Sequence, residues 1–166
     1  MNKEIIDSPP YSTEDIQNIL LKSGKDIENA VLHIDVIKEF NYDIDKIFGN
    51  RSSIILFIPN AENEEDVGHF VLLTHVTKNT IEYFDSFGRL PHAFVMQLAK
   101  NNNNMYITYS TTKLQHKNSY ICGKYCLLRM QSQPSSLDDF IKILLFNKKL
   151  TPDGIVDTLI KTQYEY

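Results

Sequence analysis

The strongest constraint on the fold is a pair of apolar runs, Ser53–Ile58 and His69–Val76. Both are apolar at successive positions, which is typical of strands that other elements cover on two sides. Lys78-Asn79 makes a short turn from the second run into Thr80–Phe84, a third strand-like run. A short turn of this kind joins antiparallel strands. The sequence therefore predicts a sheet with a central hairpin and with helices on both of its faces.

Helical patterns lie before and after these strands. Ser12-Thr-Glu-Asp15 has the form of a capping box, and Thr151-Pro152 has the cap and first residue that begin many helices. The segment Asp26–Phe48 fits either a helical stripe or a short strand at Val31–Ile34. The remaining predicted elements are helices from Ser12 to about Lys22, from Pro91 to about Lys100, and from Cys122, Ser136 and Thr151, and a strand over Met105–Ser110.

These patterns predict an α+β fold, with a central mixed, largely antiparallel sheet packed between helices. With 166 residues, the chain is long enough for one domain with a substantial core and too short for two. We therefore assign residues 1–166 to a single domain. Ser8-Pro9-Pro10 cannot continue a helix, so residues 1–11 are predicted to be an extended lead-in.

The composition excludes several kinds of partner. The net charge is −4, so no basic field favours nucleic acid as a partner. The sequence has no signal-peptide pattern and no apolar run long enough for a transmembrane helix, so no membrane partner is expected. The two cysteines lie four positions apart, which suits a reducing compartment. Metal-ligand spacings and phosphate-binding glycine loops are absent, so we expect no metal and no cofactor that the sequence requires.

Cys122 is the first candidate for chemistry. It precedes Gly123 and a helical pattern in which Tyr125, Cys126 and Leu127 can face a core. Cys122 should therefore lie in the first turn of a buried helix, where unpaired N–H groups and the helix dipole favour a thiolate. A free cysteine is also a common core residue, so this position alone does not decide between the two roles.

Three other residues can serve a thiolate at residue 122. His69 begins one predicted strand and Asp85 follows the end of the next. Antiparallel pairing places those two ends at the same edge of the sheet, which is the geometry that a His–Asp pair requires. Gln115 lies seven positions before the cysteine and can donate a side-chain N–H to a developing oxyanion.

The motifs around these residues are Gly68-His69-Phe70, Phe84-Asp-Ser-Phe-Gly88 and Gln115-x6-Cys122-Gly123. In this order they resemble the cysteine proteases of the adenovirus maturation type and the related proteases of ubiquitin-like proteins. The resemblance covers residues 53 to 130, and Asn118-Ser119 brings it closer to the viral branch. Two positions depart from the pattern. Phe70 stands where the family commonly has Trp, and Asp85 stands where the viral branch often has Glu.

The resemblance implies an adenain-like cysteine protease fold with the nucleophile at the N-terminus of a buried helix. Gln115 and the backbone N–H of Cys122 would then form the oxyanion hole. Gly123 would leave room for the substrate backbone. The residues implied are His69, Asp85 and Cys122 for catalysis, and Gly68, Phe70 and Gly123 for the substrate groove.

The function implied by the resemblance is a thiol endopeptidase that cleaves capsid and other structural precursors during virion maturation. Its source would be a DNA virus or a virus-like element such as a virophage. The protein would act as a monomer, in the host cytoplasm or viral factory and in the virion. An activating peptide or DNA cofactor would also fit the resemblance, although the net charge gives DNA little support.

Other readings of the sequence remain open. An isopeptidase that removes ubiquitin-like tags would use the same four residues. An acetyltransferase of similar catalytic order would need a basic surface for its cofactor phosphates, and the sequence shows none. The acidic residues Glu62, Glu64, Glu65 and Asp66 form either a solvated loop or a border of the substrate groove that favours basic substrates.

Overall fold

A computed structural model of the chain describes residues 6–23, 30–60 and 68–165. The predicted acidic loop at residues 62–66 lies outside the described residues. Within them, seven helices and five strands form the fold. In chain order they are α1 Thr13–Lys22, β1 Val31–His33, α2 Val36–Glu39, α3 Ile44–Phe48, β2 Ser53–Ile58, β3 His69–Thr77, β4 Thr80–Phe84, α4 Ala93–Asn101, β5 Tyr106–Tyr109, α5 Cys122–Gln131, α6 Leu137–Phe146 and α7 Pro152–Tyr164.

The five strands form one sheet in the order β1-β2-β3-β4-β5. The central pairs, β2 with β3 and β3 with β4, are antiparallel, and the short turn at residues 78–79 predicted the second of these pairs. The outer strands β1 and β5 pair in parallel with β2 and β4. Parallel neighbours need a crossover connection, which α2 and α3 supply at one edge and α4 at the other. The predicted mixed sheet is confirmed, and its antiparallel pairings are those at the centre.

The sheet separates two hydrophobic cores because successive residues of a strand point to opposite faces. Phe70 and Leu72 of β3 pack in the core that contains α1, α5, α6 and α7. Val71 and Leu73 of the same strand pack in the core formed with α2, α3 and α4. All four are buried, so the apolar run that first indicated a doubly covered strand has the predicted environment.

Helix caps follow the sequence signals in most cases. Ser12 and Asp15 form a reciprocal capping box at α1, and Ser136 and Thr151 cap α6 and α7. The prediction that α4 begins at Pro91 was wrong. The helix begins at Ala93, because the His92 side chain accepts a hydrogen bond from a backbone N–H of the first turn and acts as the cap.

Residues 26–29 of the segment that allowed a helix or a strand lie outside the described residues, and its described part, residues 30–48, contains both types of element. Val31–His33 forms the edge strand β1, and short helices follow at α2 and α3. The predicted strand over Met105–Ser110 is shorter at both ends and spans Tyr106–Tyr109. None of the described helices has the length and apolar character needed to cross a membrane.

Candidate active site

The β3–β4 hairpin brings His69 and Asp85 together at one edge of the sheet. His69 is the first residue of β3, and Asp85 directly follows β4. Leu72 and Phe84 form the last pair of the hairpin, so Asp85 directly follows that pair on one strand and His69 lies three positions before it on the other. The His69 Nε2 atom lies 2.8 Å from Asp85 Oδ1, and the two side chains are 12% and 2% exposed. The predicted His–Asp pair is therefore formed and shielded from water.

A tight turn after β4 fixes the Asp85 carboxylate. The backbone N–H of Phe87 donates to Asp85 Oδ1 at 2.8 Å, and that of Gly88 donates to the Asp85 carbonyl at 2.9 Å. Gly88 has a φ of +66°, and a Cβ atom at this position would lie 2.6 Å from the Thr111 carbonyl oxygen. Only glycine avoids both the strain and the clash. The turn therefore aims the carboxylate at the imidazole.

Cys122 is the first residue of α5 and is 8% exposed. The residue before it, Ile121, occupies the N-cap position and has no side-chain acceptor for the first N–H groups of the helix. These groups and the positive end of the helix dipole favour negative charge on the sulfur. A Ser, Thr or Asp at the N-cap would accept hydrogen bonds from these N–H groups. Because Ile121 cannot, the N–H groups remain available to a thiolate or an oxyanion.

The electrostatics of His69 connect it to both Asp85 and Cys122. Burial lowers the pKa of the imidazole, but hydrogen bonds and charges from Asp85 and Cys122 outweigh this and raise the pKa to about 9. Since Nε2 faces Asp85, the ring nitrogen left for Cys122 is Nδ1. The arrangement favours a protonated imidazole beside the sulfur. In the Ser-His-Asp triad of serine proteases, Nε2 faces the nucleophile and Nδ1 faces the aspartate, so the two nitrogens of His69 have the opposite roles.

Gln115 is 2% exposed, and its amide orientation is fixed from both ends. The Oε1 atom accepts a hydrogen bond of 2.6 Å from the Ser86 hydroxyl, and Nε2 donates to the Ser119 carbonyl at 2.8 Å. An amide nitrogen carries two hydrogens, so a second donor remains. Gln115 lines the same cleft as Cys122. This geometry fits the oxyanion role that the sequence predicted.

Ser86 was not predicted from the sequence, although it lies inside the quoted motif Phe84–Gly88. It is 1% exposed, and it belongs to the same turn that positions Asp85. The backbone carbonyl of Ser86 also accepts hydrogen bonds from the N–H groups of Leu114 and Gln115. One turn after β4 therefore orients both the carboxylate behind the imidazole and the side-chain amide beside the nucleophile.

An open cleft of about 690 Å³ contains His69, Gln115 and Cys122, while Asp85 is not among its lining residues. The predicted groove residues Gly68, Phe70 and Gly123 also line it. Gly123 also lies against α1. A Cβ atom there would lie 2.8 Å from Ile16 Cδ1, so the glycine allows α1 to pack closely against α5.

Sequence reasoning missed several other residues of the cleft. The Phe87 ring lies 5.0 Å from the His69 ring, and the Arg89 guanidinium lies 4.9 Å from the centre of the Phe87 ring. The lead-in contributes Pro10 and Tyr11 to the lining, together with the start of α1. Patterns of hydrophobicity cannot predict these contacts, because they depend on which segments the fold brings to the cleft.

Among the residues that the structure describes, no cluster of His, Cys, Asp or Glu is arranged to hold a metal ion. The chemistry that the described side chains can supply is nucleophilic attack by sulfur, proton transfer by an imidazole and stabilisation of an oxyanion. This combination is the one that acyl transfer needs.

Several solved structures resemble this fold, whereas no family model and no curated protein matches the sequence. A crystal structure of the ASFV pS273R protease matches with a TM-score of 0.58 and 12% identity, over 89% of this chain and 64% of that one. A selenomethionine crystal structure of the same protease gives a TM-score of 0.52 and 13% identity, over 89% of this chain and 65% of that one.

A structure of the SUMO protease Ulp1, with its catalytic cysteine oxidized to a sulfinic acid, has a TM-score of 0.46 and 16% identity. That match covers 83% of this chain and 75% of the other. The chain thus has the fold of the ASFV protease and spans about 64% of that structure's length. The fold that the motif resemblance implied is confirmed.

Proposed function

We propose that this protein is a cysteine protease in which Cys122 is the nucleophile, His69 the acid and base, and Asp85 the residue that orients the imidazole. The observation that carries the proposal is a buried His69–Asp85 pair at the cleft that Cys122 also lines. Asp85 bonds one nitrogen of His69 at 2.8 Å, and Cys122 is among the groups that raise the pKa of this imidazole to about 9. The fold shared with the ASFV protease supports the same conclusion.

Hydrolysis would proceed in two steps. The Cys122 thiolate attacks the substrate carbonyl, and Gln115 and the backbone N–H of Cys122 stabilise the oxyanion, at about 3 kcal/mol for each donor. Imidazolium His69 then gives its proton to the leaving amine, the C–N bond breaks and a thioester remains. Water attacks the thioester while neutral His69 accepts its proton. Cleavage of the C–S bond releases the carboxylic acid and restores the thiolate–imidazolium pair.

The substrate we propose is a viral structural precursor, cleaved during virion maturation by a monomeric enzyme in the host cytoplasm or viral factory and in the virion. The Asn118-Ser119 pair supports this choice, because it resembles the viral branch, whereas the motif order is common to both branches of the family. The fold similarity to a viral protease agrees with it. An isopeptidase acting on ubiquitin-like tags would use the same residues, so a tagged substrate belongs in the test.

The test is incubation of the purified protein with the capsid proteins of its own genome, followed by sequencing of new chain termini. Fusions of ubiquitin and SUMO to a reporter form the second arm, and acetyl-CoA with the same proteins forms the third. The matched control is Cys122→Ala, which should remove all turnover and preserve the fold. Cleavage by this variant would exclude the mechanism. Cleavage of the fusions alone would assign the isopeptidase, and acetylation alone would exclude a protease.

A further inference from the structure

Lys124 is a buried cation two residues after the nucleophile. Its side chain is 2% exposed, although lysine is almost never fully buried without a partner. The Nζ atom donates to Asp157 Oδ1 at 2.8 Å and to Ser8 Oγ at 3.1 Å, and it lies 3.5 Å from Glu165 Oε1. These acceptors use all three donors of the ammonium group.

The contacts of Lys124 connect three separate parts of the chain. Ser8 belongs to the segment Ser8–Ser12, which we call the N-terminal strap, while Asp157 lies in α7 and Glu165 directly follows it. Burial alone would raise the pKa of the Asp157 carboxyl, but hydrogen bonds from Lys124 and Lys161 lower it below its usual range. Asp157 is therefore an ionised partner for the buried ammonium.

Tyr11 adds a second attachment for the strap. Its hydroxyl donates to Glu165 Oε1 at 2.6 Å, and its ring lies 4.9 Å from Lys124 Nζ, a distance that suits a cation–π contact. Burial and the bond to Glu165 raise the pKa of the Tyr11 phenol, so it remains a donor. The strap is thus attached to both α5 and the end of α7.

The strap also lines the catalytic cleft. Pro10, Tyr11 and Ser12 belong to its lining, together with Cys122 and Gly123. The helix that follows the strap packs against α5 at the same point, since Ile16 closely approaches Gly123. Any chain bound at the sulfur therefore has the strap as part of its surroundings.

We propose that Lys124 is a positioning residue, which fastens the N-terminal strap to α5 and α7 so that the strap forms a wall of the substrate cleft. The proposal rests on the proposed protease function for its effect on substrate. Contacts with a wall are made equally in the ground state and the transition state, so their loss raises KM and leaves kcat nearly unchanged.

The first experiment measures peptide cleavage by Lys124→Met. Because this change leaves Asp157 buried without one of its partners, the double variant Lys124→Met/Asp157→Leu is measured beside it. We expect a roughly tenfold rise in KM with kcat within about twofold, and recovery in Lys124→Arg. Lys142→Met, which changes an exposed lysine, is the matched control and should leave both constants unchanged.

The alkylation of Cys122 by iodoacetamide distinguishes positioning from a direct effect on the sulfur. The reagent is small and reacts with the sulfur without contacts to the strap. The pH profile of its reaction should therefore be the same in the wild type and in Lys124→Met. A shifted profile would mean that Lys124 acts electrostatically on the thiolate, and would overturn the proposal.

The last experiment tests the fastening without any protease activity. Ser8 is 5% exposed, so in a Cys122→Ala background a Ser8→Cys variant should react with iodoacetamide only when the strap opens. Adding Lys124→Met should speed this reaction about tenfold or more. Asp7→Cys, at an exposed position, should react equally in both backgrounds.

Failure of this proposal is distinguishable from failure of the proposed function. If Lys124→Met leaves the alkylation rate of the cysteine at residue 8 unchanged, Lys124 does not fasten the strap, even if the wild type cleaves peptides. Faster alkylation at residue 8 with an unchanged KM for peptide would overturn the role of the strap as a wall. Faster alkylation in a protein that cleaves no peptide would refute the proposed protease function and leave the fastening of the strap supported.

Discussion

The candidate residues were predictable one by one, but the groups that orient them were not. His69, Asp85, Gln115 and Cys122 have recognisable neighbours in the sequence, and the structure brings the first pair together and places three of the four at one cleft. Ser86 acts through a hydroxyl that bonds the amide of Gln115. Nothing in the pattern around Ser86 indicates this bond, because it depends on a segment 29 residues away.

The two cysteines should differ sharply in reactivity. Cys122 lies at a helix terminus in an open cleft, whereas burial holds the pKa of the Cys126 thiol well above its ordinary value. We expect iodoacetamide to modify residue 122 in the native protein and to leave residue 126 unmodified until the protein is denatured. Mass spectrometry of the labelled peptides measures this. Equal labelling of both thiols under native conditions would contradict the assignment.

The raised pKa of His69 makes stability depend on pH. Its folded-state pKa of about 9 exceeds the ordinary value of 6.5, so the stabilisation is fully present below pH 6.5 and is lost as pH rises through 9. Over that interval the wild type should lose up to about 3 kcal/mol of unfolding free energy that His69→Gln does not lose. Urea titrations at several pH values measure the difference. Parallel pH profiles for the two proteins would show that His69 is not perturbed in this way.

At the scale of elements, local signals predicted how most helices begin, and they predicted the reversal at residues 78–79 between β3 and β4. Capping residues act within one turn, so Ser12, Ser136 and Thr151 were readable from the sequence. Proline also favours the first turn of a helix, but at α4 the ring nitrogen of His92 provides the cap. The sequence alone does not show which of two neighbouring candidates will be used.

The turn after β4 should tolerate no side chain at Gly88. Gly88→Ala combines a left-handed backbone with a clash against the Thr111 carbonyl, so we expect a loss of about 1–3 kcal/mol in stability and a lower kcat. The matched control is Gly49→Ala. Gly49 also has a positive φ, but an added Cβ meets nothing within 4 Å. Calorimetry and kinetics should show that only Gly88→Ala impairs turnover. Equal kinetic effects would contradict the assigned role of the turn.

A buried ion pair connects β4 with α5. The Arg129 side chain is 1% exposed, and it donates to both carboxylate oxygens of Glu82, at 3.0 and 2.8 Å. Arg129→Met should cost about 3–5 kcal/mol because it leaves a buried carboxylate unpaired. Arg129→Met/Glu82→Leu should recover much of that loss. Urea denaturation measures both variants, and a double variant no more stable than the single one would contradict this account.

For the whole molecule, the α+β class and the central hairpin followed from the sequence, and the complete strand order did not. β1 and β5 are short, and they join the sheet in parallel through crossovers. Their neighbours are therefore decided by how helices pack rather than by local turns. The buried charges at Lys124 and Arg129 escaped prediction for a related reason. Each is paired with residues more than 30 positions away in the chain.

The overall charge leads to a prediction about cofactors. With a net charge of −4, the protein should gain little from a polyanion, so double-stranded DNA should leave kcat/KM unchanged even at low salt. A titration with DNA during peptide cleavage measures this, with a peptide that carries no net charge as substrate. A marked stimulation that disappears as salt is added would reveal a basic surface that the net charge conceals.

The sheet places Cys122 and its helix against one core, while Leu73 and α4 belong to the other. A large-to-small change such as Leu73→Ala removes stability, about 2–5 kcal/mol, at a distance from the reacting atoms. Cells carrying such an allele would contain fewer active molecules as they are warmed, although each surviving molecule would work at the normal rate. Conditional, temperature-sensitive genetics could therefore be built on that half of the protein.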